Sequence, residues 1–454
     1  MTTQEKNGIT EGVIWKQLLI FFFPILVGSF FQQLYNTVDS VIVGQFVGKE
    51  ALSSVGGSAG QIISLVVGFF TGVSTGATVI ISQYFGAGKK EEIEESLHTA
   101  YAFALVGGLV LGIAGIVFAP QMLRWMNTPE ELIAESVLYV RVYFSGLIFI
   151  FIYNMGAAIL RAVGDSKRPL YYLIVCCILN IVLDIVLVIV FHMGVAGVSI
   201  ATIFSQGVSA VLITRALMHS DDLYQLEFRK IRFHKSALIS LIWVGCPTGI
   251  QSVLYSVTNM LIQTFLNNLG TDTVAAWSAF GKIDSLYWMV NNAFGIAVTT
   301  FVGQNFGAGK YDRMKKSVRI GLCMGLCTAL TLTLIFYNFG TPLFRLFTSD
   351  ENVVSIGMQM LHHVAPAYCL FVFIELLSGA LRGTGDVVIP MLITCFGVCL
   401  LRIAWLFFIV PLAPGLNTIV LSYPVTWAIT AVMFIVYYCY QAKKWPKSSA
   451  KKTA

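Results

Sequence analysis

Long apolar runs separated by short polar segments form the dominant pattern along this 454-residue chain. Most of the runs reach or exceed the ~20 residues that a helix needs to cross a bilayer. Several are long enough to indicate tilted or bent helices. The pattern predicts twelve membrane-spanning helices, at about 15–45, 52–84, 96–119, 137–160, 169–191, 195–217, 237–267, 274–305, 318–338, 357–381, 387–410 and 417–440.

The composition is that of a membrane protein rather than a soluble one. Hydrophobic residues make up 57% of the chain and charged residues 11%, whereas a soluble domain carries about 25% charged residues. The first apolar run is too long for a cleaved signal peptide, so we interpret it as a span. None of the nine cysteines shows the CxxC or Cys/His spacing of a metal site.

Basic residues are concentrated in one set of alternate loops. The net charge is +6, and 23 of the 29 Lys and Arg residues lie in the two termini and the loops predicted on their side. The opposite loops carry 4, and 2 more lie within spans. Because basic loops stay cytoplasmic, we expect both termini in the cytoplasm and the chain in the plasma (inner) membrane. The charge therefore indicates topology and not a nucleic-acid partner.

Internal repetition divides the chain into two similar halves. Pro24 and Pro247 lie near the starts of the first and seventh spans, where a proline kinks a helix. Three further matches share one offset of 221 residues, namely Gln83–Lys89 with Gln304–Lys310, Leu160–Asp165 with Leu381–Asp386, and Pro169 with Pro390. Several motifs at one offset indicate a duplication.

Each half holds six predicted spans, so both halves enter the membrane from the same side and the repeats are parallel. We therefore expect an all-α integral membrane fold of two six-helix lobes around a central cleft, with rocking of the lobes giving alternating access. The predicted organisation is an N-lobe at 1–219, a cytoplasmic linker at 220–235, a C-lobe at 236–442 and a basic cytoplasmic tail at 443–454.

The glycine-rich repeat of Phe-Gly-Ala-Gly-Lys has some likeness to a phosphate-binding loop. The GxxxxGK[ST] spacing is absent, however. Gly86 and Gly88 are therefore predicted to let a helix end and turn. Nothing else in the sequence suggests ATP as an energy source, and we expect no cofactor.

Polar residues within the first-half spans form a compact set. An ionisable group at membrane depth costs about 2.5–3.5 kcal/mol on insertion scales, so each is a functional hypothesis. Asp39 shares one face of the first span with Gln32 and Asn36, and Asn180 and Asp184 are four residues apart in the fifth. Asn154 and Thr202 supply further polar oxygens in the fourth and sixth spans.

Oxygen ligands suit a proton or a hard cation rather than a soft transition metal. Two carboxylates close together in a low dielectric do not both stay ionised and unpaired, so either one takes a proton or a cation lies between them. The alternative is that these residues only hydrogen-bond neighbouring helices. The predicted proton or cation site comprises Asp39, Asn180, Asp184, Asn154 and Thr202, with Na⁺ a candidate at Asp39, Asn180, Asp184 and Thr202.

The second half carries a different polar set. Glu375 is the counterpart of Asn154 at the 221-residue offset, and Arg402 lies beside Leu401, the counterpart of Asn180. We hypothesise that Arg402 is a fixed cation paired with Glu375; the alternative is an arginine that lines a wet cavity without a partner. Aromatic side chains suit flat cationic molecules, although they also anchor and pack spans. The candidate substrate-cleft residues are Gln32, Asn36, Gln251, Tyr255, Asp284, Trp288, Glu375 and Arg402.

The sequence resembles the multidrug and toxic compound extrusion (MATE) transporters. The similarity rests on the first-span pattern from Pro24 through Gln32 to Asp39 and Gly44, on the doubled motifs, and on Asn180–Asp184. It covers essentially the whole chain apart from the tails. It implies twelve helices in two lobes and efflux of organic cations in exchange for H⁺ or Na⁺.

The resemblance also implies site residues. The first-span aspartate of the family falls on Asp39, and the rest of the N-lobe cation site of DinF-like members falls on Asn180, Asp184 and Thr202, with Asn154 a further match. NorM-like members keep acidic groups in the C-lobe, and this sequence lacks a close match to that pattern. We therefore expect a DinF-like antiporter.

Three other functions remain open from the sequence. One is a simple channel, although a channel has less need for two lobes around one site. A lipid-linked oligosaccharide or lipid flippase of the same superfamily predicts a strongly cationic cleft and extra helices. A membrane-embedded enzyme needs a catalytic cluster at one depth, and the histidines provide none, so we expect no enzyme. The expected partners are small-molecule substrates and membrane lipids, and the expected functional state is a monomer.

Overall fold

A computed structural model describes residues 8–220 and 223–446 of the chain. Within these ranges the chain is helical and contains no strand. We number its long helices α1 (Ile14–Val47), α2 (Glu50–Ala87), α3 (Lys90–Trp125), α4 (Glu130–Ser145 and Leu147–Ala162), α5 (Lys167–Val190), α6 (Gly194–Met218), α7 (Lys235–Asn267), α8 (Thr271–Gly307), α9 (Tyr311–Arg345), α10 (Glu351–Gly383), α11 (Val388–Ile409) and α12 (Leu416–Lys444). The predicted tail beyond Pro446 and part of the predicted linker lie outside the described residues.

Most of these helices are long and apolar enough to cross a bilayer. Ten satisfy both criteria, and the two segments of α4, which meet at a 49° bend around Gly146, make an eleventh. Helix α8 is 37 residues long but falls short of the apolar criterion. Counted with α8, the described chain has the twelve predicted helices, six in each half.

Backbone geometry repeats at the same offset as the sequence. Gly88, at the C-terminal end of α2, and Gly309, after α8, have φ angles of +69° and +68°. Gly164 and Gly385, which follow α4 and α10, have φ angles of +98° and +89°. Positive φ is accessible to glycine at little steric cost. The glycine-rich repeat thus ends a helix in a left-handed turn, as predicted for Gly88.

Three helices contain π-helical turns beside polar residues. In α1 the turn is Val43–Val47, in α5 it is Ile185–Val190, directly after Asp184, and α11 has two, Cys395–Leu400 and Trp405–Ile409. Such turns interrupt the regular ladder of hydrogen bonds and are frequent at functional sites. They therefore draw attention to the middle of α5 and of α11.

The chain forms two compact units that differ from the predicted lobes. The N-unit is Phe23–Gly249, and the C-unit combines Met1–Phe22 with Ile250–Ala454, of which residues 8–22 and 250–446 are described. The start of α1 thus belongs to the C-unit and the start of α7 to the N-unit. The boundary between the units within α1 lies within three residues of Pro24, and the boundary within α7 lies within three residues of Pro247.

Glycines bring α7 close to α2 inside the N-unit. A Cβ atom added at Gly72 would lie 2.5 Å from the Cα of Gly249, and one at Gly76 would lie 2.7 Å from the Gly245 nitrogen. Any side chain at these positions requires the helices to separate. Absence of Cβ atoms is therefore what holds the start of α7 in this unit.

The segment before α7 is fastened to the start of α3. The Glu227 amide donates to His98 Nε2 at 3.0 Å, and the His234 amide donates to Thr99 Oγ1 at 3.1 Å. Lys230 forms an ion pair with Glu94 at 2.9 Å. These contacts fix part of the predicted linker on the N-unit.

The segment before α1 is fastened in a similar way within the C-unit. Arg313 donates from Nε to the Ile9 carbonyl at 3.1 Å, and from its two terminal nitrogens to the carbonyls of Gly12 and Glu11 at 2.8 and 2.7 Å. Lys310 donates to the Thr10 carbonyl at 3.0 Å. Residues 9–12 are therefore bound through their backbone.

Candidate functional site

Two buried aspartates meet inside the N-unit. Asp39 on α1 is 9% exposed and Asp184 on α5 is 0% exposed. The two carboxyl groups lie close enough to interact electrostatically, and the Thr202 hydroxyl of α6 lies beside Asp39. The structure thus brings together residues from three helices that the sequence placed in one site. Neither carboxylate forms an ion pair with a basic side chain of the described residues.

The polar atoms of this site lack hydrogen-bond partners within the described protein. They are Asp39 Oδ1, both carboxylate oxygens of Asp184, and both amide atoms of Asn180, which is 1% exposed. Two carboxylates have no donor for one another unless one of them carries a proton. Each unsatisfied buried polar atom costs about 1–3 kcal/mol, and a proton, a cation or ordered water can satisfy these atoms.

Thr202 and Asn154 differ in how their side chains are arranged. The Thr202 hydroxyl donates to the Val198 carbonyl at 3.0 Å, which leaves the lone pairs of its oxygen available. The Asn154 amide donates to the Ile150 carbonyl of its own helix at 2.8 Å. Thr202 therefore contributes to the cluster, whereas a ligand role for Asn154 stays a prediction.

Other polar residues of the cluster escaped prediction. Tyr35, Tyr139 and Tyr143 all lie within electrostatic range of Asp39, and Tyr139 also interacts with Asp184. Gln206, one turn beyond Thr202, is buried and its Oε1 has no partner. Tyr35 and Gln206 carry a signal that was overlooked, since each is four residues from a predicted site residue. Nothing in the pattern singles out the two α4 tyrosines.

The first-span face predicted from spacing is only partly buried. Gln32 and Asn36 are exposed, whereas Asp39 is buried together with Tyr35, one turn before it. Gln32 interacts with the Tyr35 hydroxyl. The two exposed amides therefore remain substrate-cleft predictions and do not join the carboxylates directly.

The predicted ion pair between Glu375 and Arg402 is wrong. Glu375 forms an ion pair with Arg382, which lies near the C-terminal end of the same helix. Glu375 Oε1 and Arg382 Nη2 are 3.0 Å apart. The repeat offset correctly placed both predicted partners in neighbouring helices, but it does not report side-chain direction. Tyr255 lies within electrostatic range of both Glu375 and Arg402.

Arg402 is bound by aromatic rings instead of a carboxylate. It is 3% exposed, and its guanidinium carbon lies 3.9 Å from the ring centre of Tyr423 and 5.8 Å from that of Trp427. One terminal nitrogen donates to Thr426 Oγ1 at 3.1 Å, and Nε has no partner among the described residues. Burial of an unpaired charge costs several kcal/mol, and a desolvated cation–π contact contributes about 2 kcal/mol. The surroundings of Arg402 therefore offset its charge only in part.

The remaining C-unit candidates form a hydrogen-bonded aromatic cluster. Asp284 accepts from Trp288 Nε1 at 2.6 Å and from the Tyr368 hydroxyl at 2.5 Å. Trp288 lies 6.2 Å from Trp427, ring centre to ring centre. Gln251 is buried and interacts with Tyr255. These contacts satisfy Asp284 within the protein, unlike Asp39 and Asp184.

Long spanning helices arranged in two repeats are the architecture of a membrane transporter. The MatE family model matches residues 24–186 and again residues 247–408. The chain therefore belongs to the MatE family, whose members are transporters. The double match also agrees with the internal repeat, and the family confirms the MATE resemblance of the sequence.

Curated relatives resemble the chain over most of its length. A probable multidrug resistance protein of Bacillus subtilis, YoeA, is 27% identical over 98% of this chain and 97% of its own. A second from the same organism, YpnP, is 30% identical over 87% of this chain and 88% of its own. None of these names points to the flippase alternative.

Solved structures share the fold. A transporter of the MOP superfamily from Pyrococcus furiosus matches with a TM-score of 0.91 at 21% identity. The match covers 99% of this chain and 100% of that one. An outward-facing multidrug resistance MATE transporter matches with a TM-score of 0.91 at 20% identity, covering 98% and 99%. The predicted fold class, an all-α membrane protein of two repeats, is confirmed.

Proposed function

We propose that this protein is an antiporter of the plasma membrane that exports amphipathic organic compounds, cationic ones by the family resemblance, in exchange for H⁺ or Na⁺. The observation that carries the proposal is the meeting of Asp39 and Asp184 without a basic partner. The names of the multidrug relatives support organic compounds as the exported class. The basic loops support cytoplasmic termini.

The ligand chemistry favours a proton or a monovalent hard cation. Carboxylate, amide and hydroxyl oxygens are the donors that hard cations prefer. Among the described residues, no group of three or more His, Cys, Asp or Glu side chains is placed to hold a metal ion. Asp39, Asp184, Asn180 and Thr202 fit Na⁺, and the two carboxylates alone fit a shared proton.

Ion binding changes the charge of the cluster and thereby drives export. With one proton or one Na⁺ bound, the cluster keeps a single negative charge, whereas an empty cluster holds two carboxylates that repel each other. Entry of one positive charge down a potential of 100 mV releases about 2.3 kcal/mol. Because the carboxylates lie on α1 and α5, their repulsion acts directly on the packing of these helices. We interpret this as the step that couples the ion to alternating access of the two lobes.

The test uses purified protein in liposomes. Uptake of rhodamine 123, a fluorescent organic cation, is followed under an imposed pH gradient and then under a Na⁺ gradient. One gradient should drive transport by the wild type, and Asp39→Asn and Asp184→Asn should each abolish it. Asp312→Asn, which alters an exposed aspartate at the start of α9, is the matched control and should transport normally.

Two results would contradict the proposal. One is gradient-driven transport that persists in Asp39→Asn and Asp184→Asn. The other is an absence of any response to either gradient in the wild type. In the double variant Asp39→Asn/Asp184→Asn we expect no further loss, because residues that act as one unit are not additive.

A further inference from the structure

Arg402 carries a charge that the contacts of the C-unit leave without a counter-ion. Among the described residues, no carboxylate forms an ion pair with it. Glu375 is paired with Arg382, and Asp284 accepts from Trp288 and Tyr368. The orphaned Nε leaves one edge of the guanidinium without a hydrogen-bond acceptor.

The place of Arg402 in the repeat corresponds to the cation site of the N-unit. Tyr423, whose ring lies under the guanidinium, is the counterpart of Thr202 at the 221-residue offset. Arg402 follows Leu401, the counterpart of Asn180. π-helical turns adjoin Asp184 in one repeat and Arg402 in the other. Arg402 lies three residues before Trp405, the counterpart of Asp184, so the two repeats carry opposite charges about one turn apart on equivalent helices.

We propose that Arg402 anchors a substrate subsite in the C-unit that binds a carboxylate group. The substrates are then amphipathic zwitterions or organic anions as well as cations. This inference rests on the proposed function and names a substrate class for it. A carboxylate offers two oxygens to the planar fork of the guanidinium and supplies the missing counter-charge.

The surroundings favour an organic carboxylate over an inorganic anion. Tyr423 and Trp427 cover the guanidinium, and Trp288 and Phe371 extend the same aromatic surface, with Phe371 5.1 Å from Trp427 and 4.6 Å from Trp288. Flat apolar molecules stack on such rings. Because Arg402 is almost fully buried, a ligand reaches it only when these rings move, so binding should also change the fluorescence of Trp427.

Two dyes that differ at a single group provide the test. Rhodamine 110 has a free carboxylate, and rhodamine 123 is its methyl ester. Binding of each to the full-length protein in lipid nanodiscs is measured by fluorescence anisotropy without any ion gradient. The wild type should bind rhodamine 110 at least about tenfold more tightly than rhodamine 123, because one charge-assisted hydrogen bond adds about that much affinity.

Arg402→Gln should abolish this preference and leave the affinity for rhodamine 123 unchanged. Arg345→Gln, which alters an exposed arginine at the end of α9 in the same unit, should retain the preference. Equal binding of the two dyes by the wild type overturns the proposal, and so does a preference that survives in Arg402→Gln.

Retained binding of rhodamine 123 shows that Arg402→Gln is folded. If that binding is lost, Arg402→Lys decides, because lysine keeps the charge and loses the planar fork. We expect a reduced preference in Arg402→Lys, and an unchanged one overturns the proposal. Asp39-dependent transport of rhodamine 123 is measured separately. If this transport persists while the two dyes bind equally well, only the carboxylate subsite is overturned and the proposed antiport stands.

Discussion

The Thr202 hydroxyl illustrates how a single side chain is prepared for an ion. It donates its one proton to the Val198 carbonyl at 3.0 Å, so the lone pairs of its oxygen stay available. Thr202→Ser keeps this oxygen, and Thr202→Val removes it at nearly constant volume. We expect Thr202→Val to weaken the apparent affinity for the coupling ion about tenfold, the effect of one lost polar contact.

The measurement is the dependence of transport rate on the concentration of the coupling ion. Thr202→Ser serves as the matched control and should remain within about twofold of the wild type. Equal ion affinities for Thr202→Val and Thr202→Ser would show that the hydroxyl is only a helix contact.

The pairing of Glu375 with Arg382 can be tested against its rejected alternative. Both side chains are largely buried, with 21% and 11% of their side-chain surface exposed. A double-mutant cycle of Glu375→Gln and Arg382→Gln, measured by thermal unfolding in detergent, should give a coupling free energy of about 1–3 kcal/mol. The same cycle with Arg402→Gln in place of Arg382→Gln should give about zero. Strong coupling to Arg402 would contradict the observed geometry.

Insertion cost was enough to find the central carboxylates from the sequence. Asp39 and Asp184 stand out because charge is expensive in a membrane, whatever its neighbours are. The contacts of Arg402 could not be predicted from insertion cost, since the position of a residue on a helix does not fix the direction of a long side chain. Tyr139 was missed for a related reason, because a tyrosine in an apolar helix is unremarkable until its neighbours are known.

At the scale of elements, the segments before α1 and α7 have equivalent roles in the repeat. Each is bound by side chains near the start of another helix, α9 for residues 9–12 and α3 for residues 227–234. In each case the helix that follows begins in one unit and continues in the other. The bound segment and the start of the helix that follows it thus lie in the same unit in both repeats.

Arg313 is the main residue that binds the N-terminal segment. Arg313→Ala removes three hydrogen bonds to backbone carbonyls, and hydrogen bonds to a charged group are worth about 1.5–3 kcal/mol each. We expect faster amide exchange over residues 8–16, measured by hydrogen–deuterium exchange mass spectrometry. Arg319→Ala, which alters an exposed arginine on the same helix, is the control. Unchanged protection in Arg313→Ala would show that the segment is held by other contacts.

The regular elements were largely predictable and their distortions were not. Apolar run length located the helices, and the offset of 221 residues located the matching turns at Gly88 and Gly309. The π-helical turns of α5 and α11 depend on side-chain packing that run length does not report. The boundary between compact units also escaped prediction, because polarity marks the linker near residue 230, whereas close glycine contacts assign the start of α7 to the N-unit.

Across the whole molecule, the two repeats have diverged in charge while keeping one fold. Among residues 8–220 and 223–446, no basic side chain pairs with the two carboxylates of the N-unit and no acidic one pairs with Arg402 of the C-unit. A permanent cation near the corresponding position of the C-unit repels a second exchangeable cation. We therefore propose that ion coupling belongs to the N-unit alone.

Reverse coupling tests this assignment most directly. Liposomes are loaded with rhodamine 123, no ion gradient is imposed, and H⁺ and Na⁺ fluxes are recorded while the dye leaves through the protein. Because coupling of binding equilibria is reciprocal, the dye gradient should drive one of the two ions inward in the wild type and in Arg402→Gln, but not in Asp39→Asn. Dye efflux from the wild type without a counter-flow of either ion, or a counter-flow that persists in Asp39→Asn, would contradict coupling at Asp39 and Asp184.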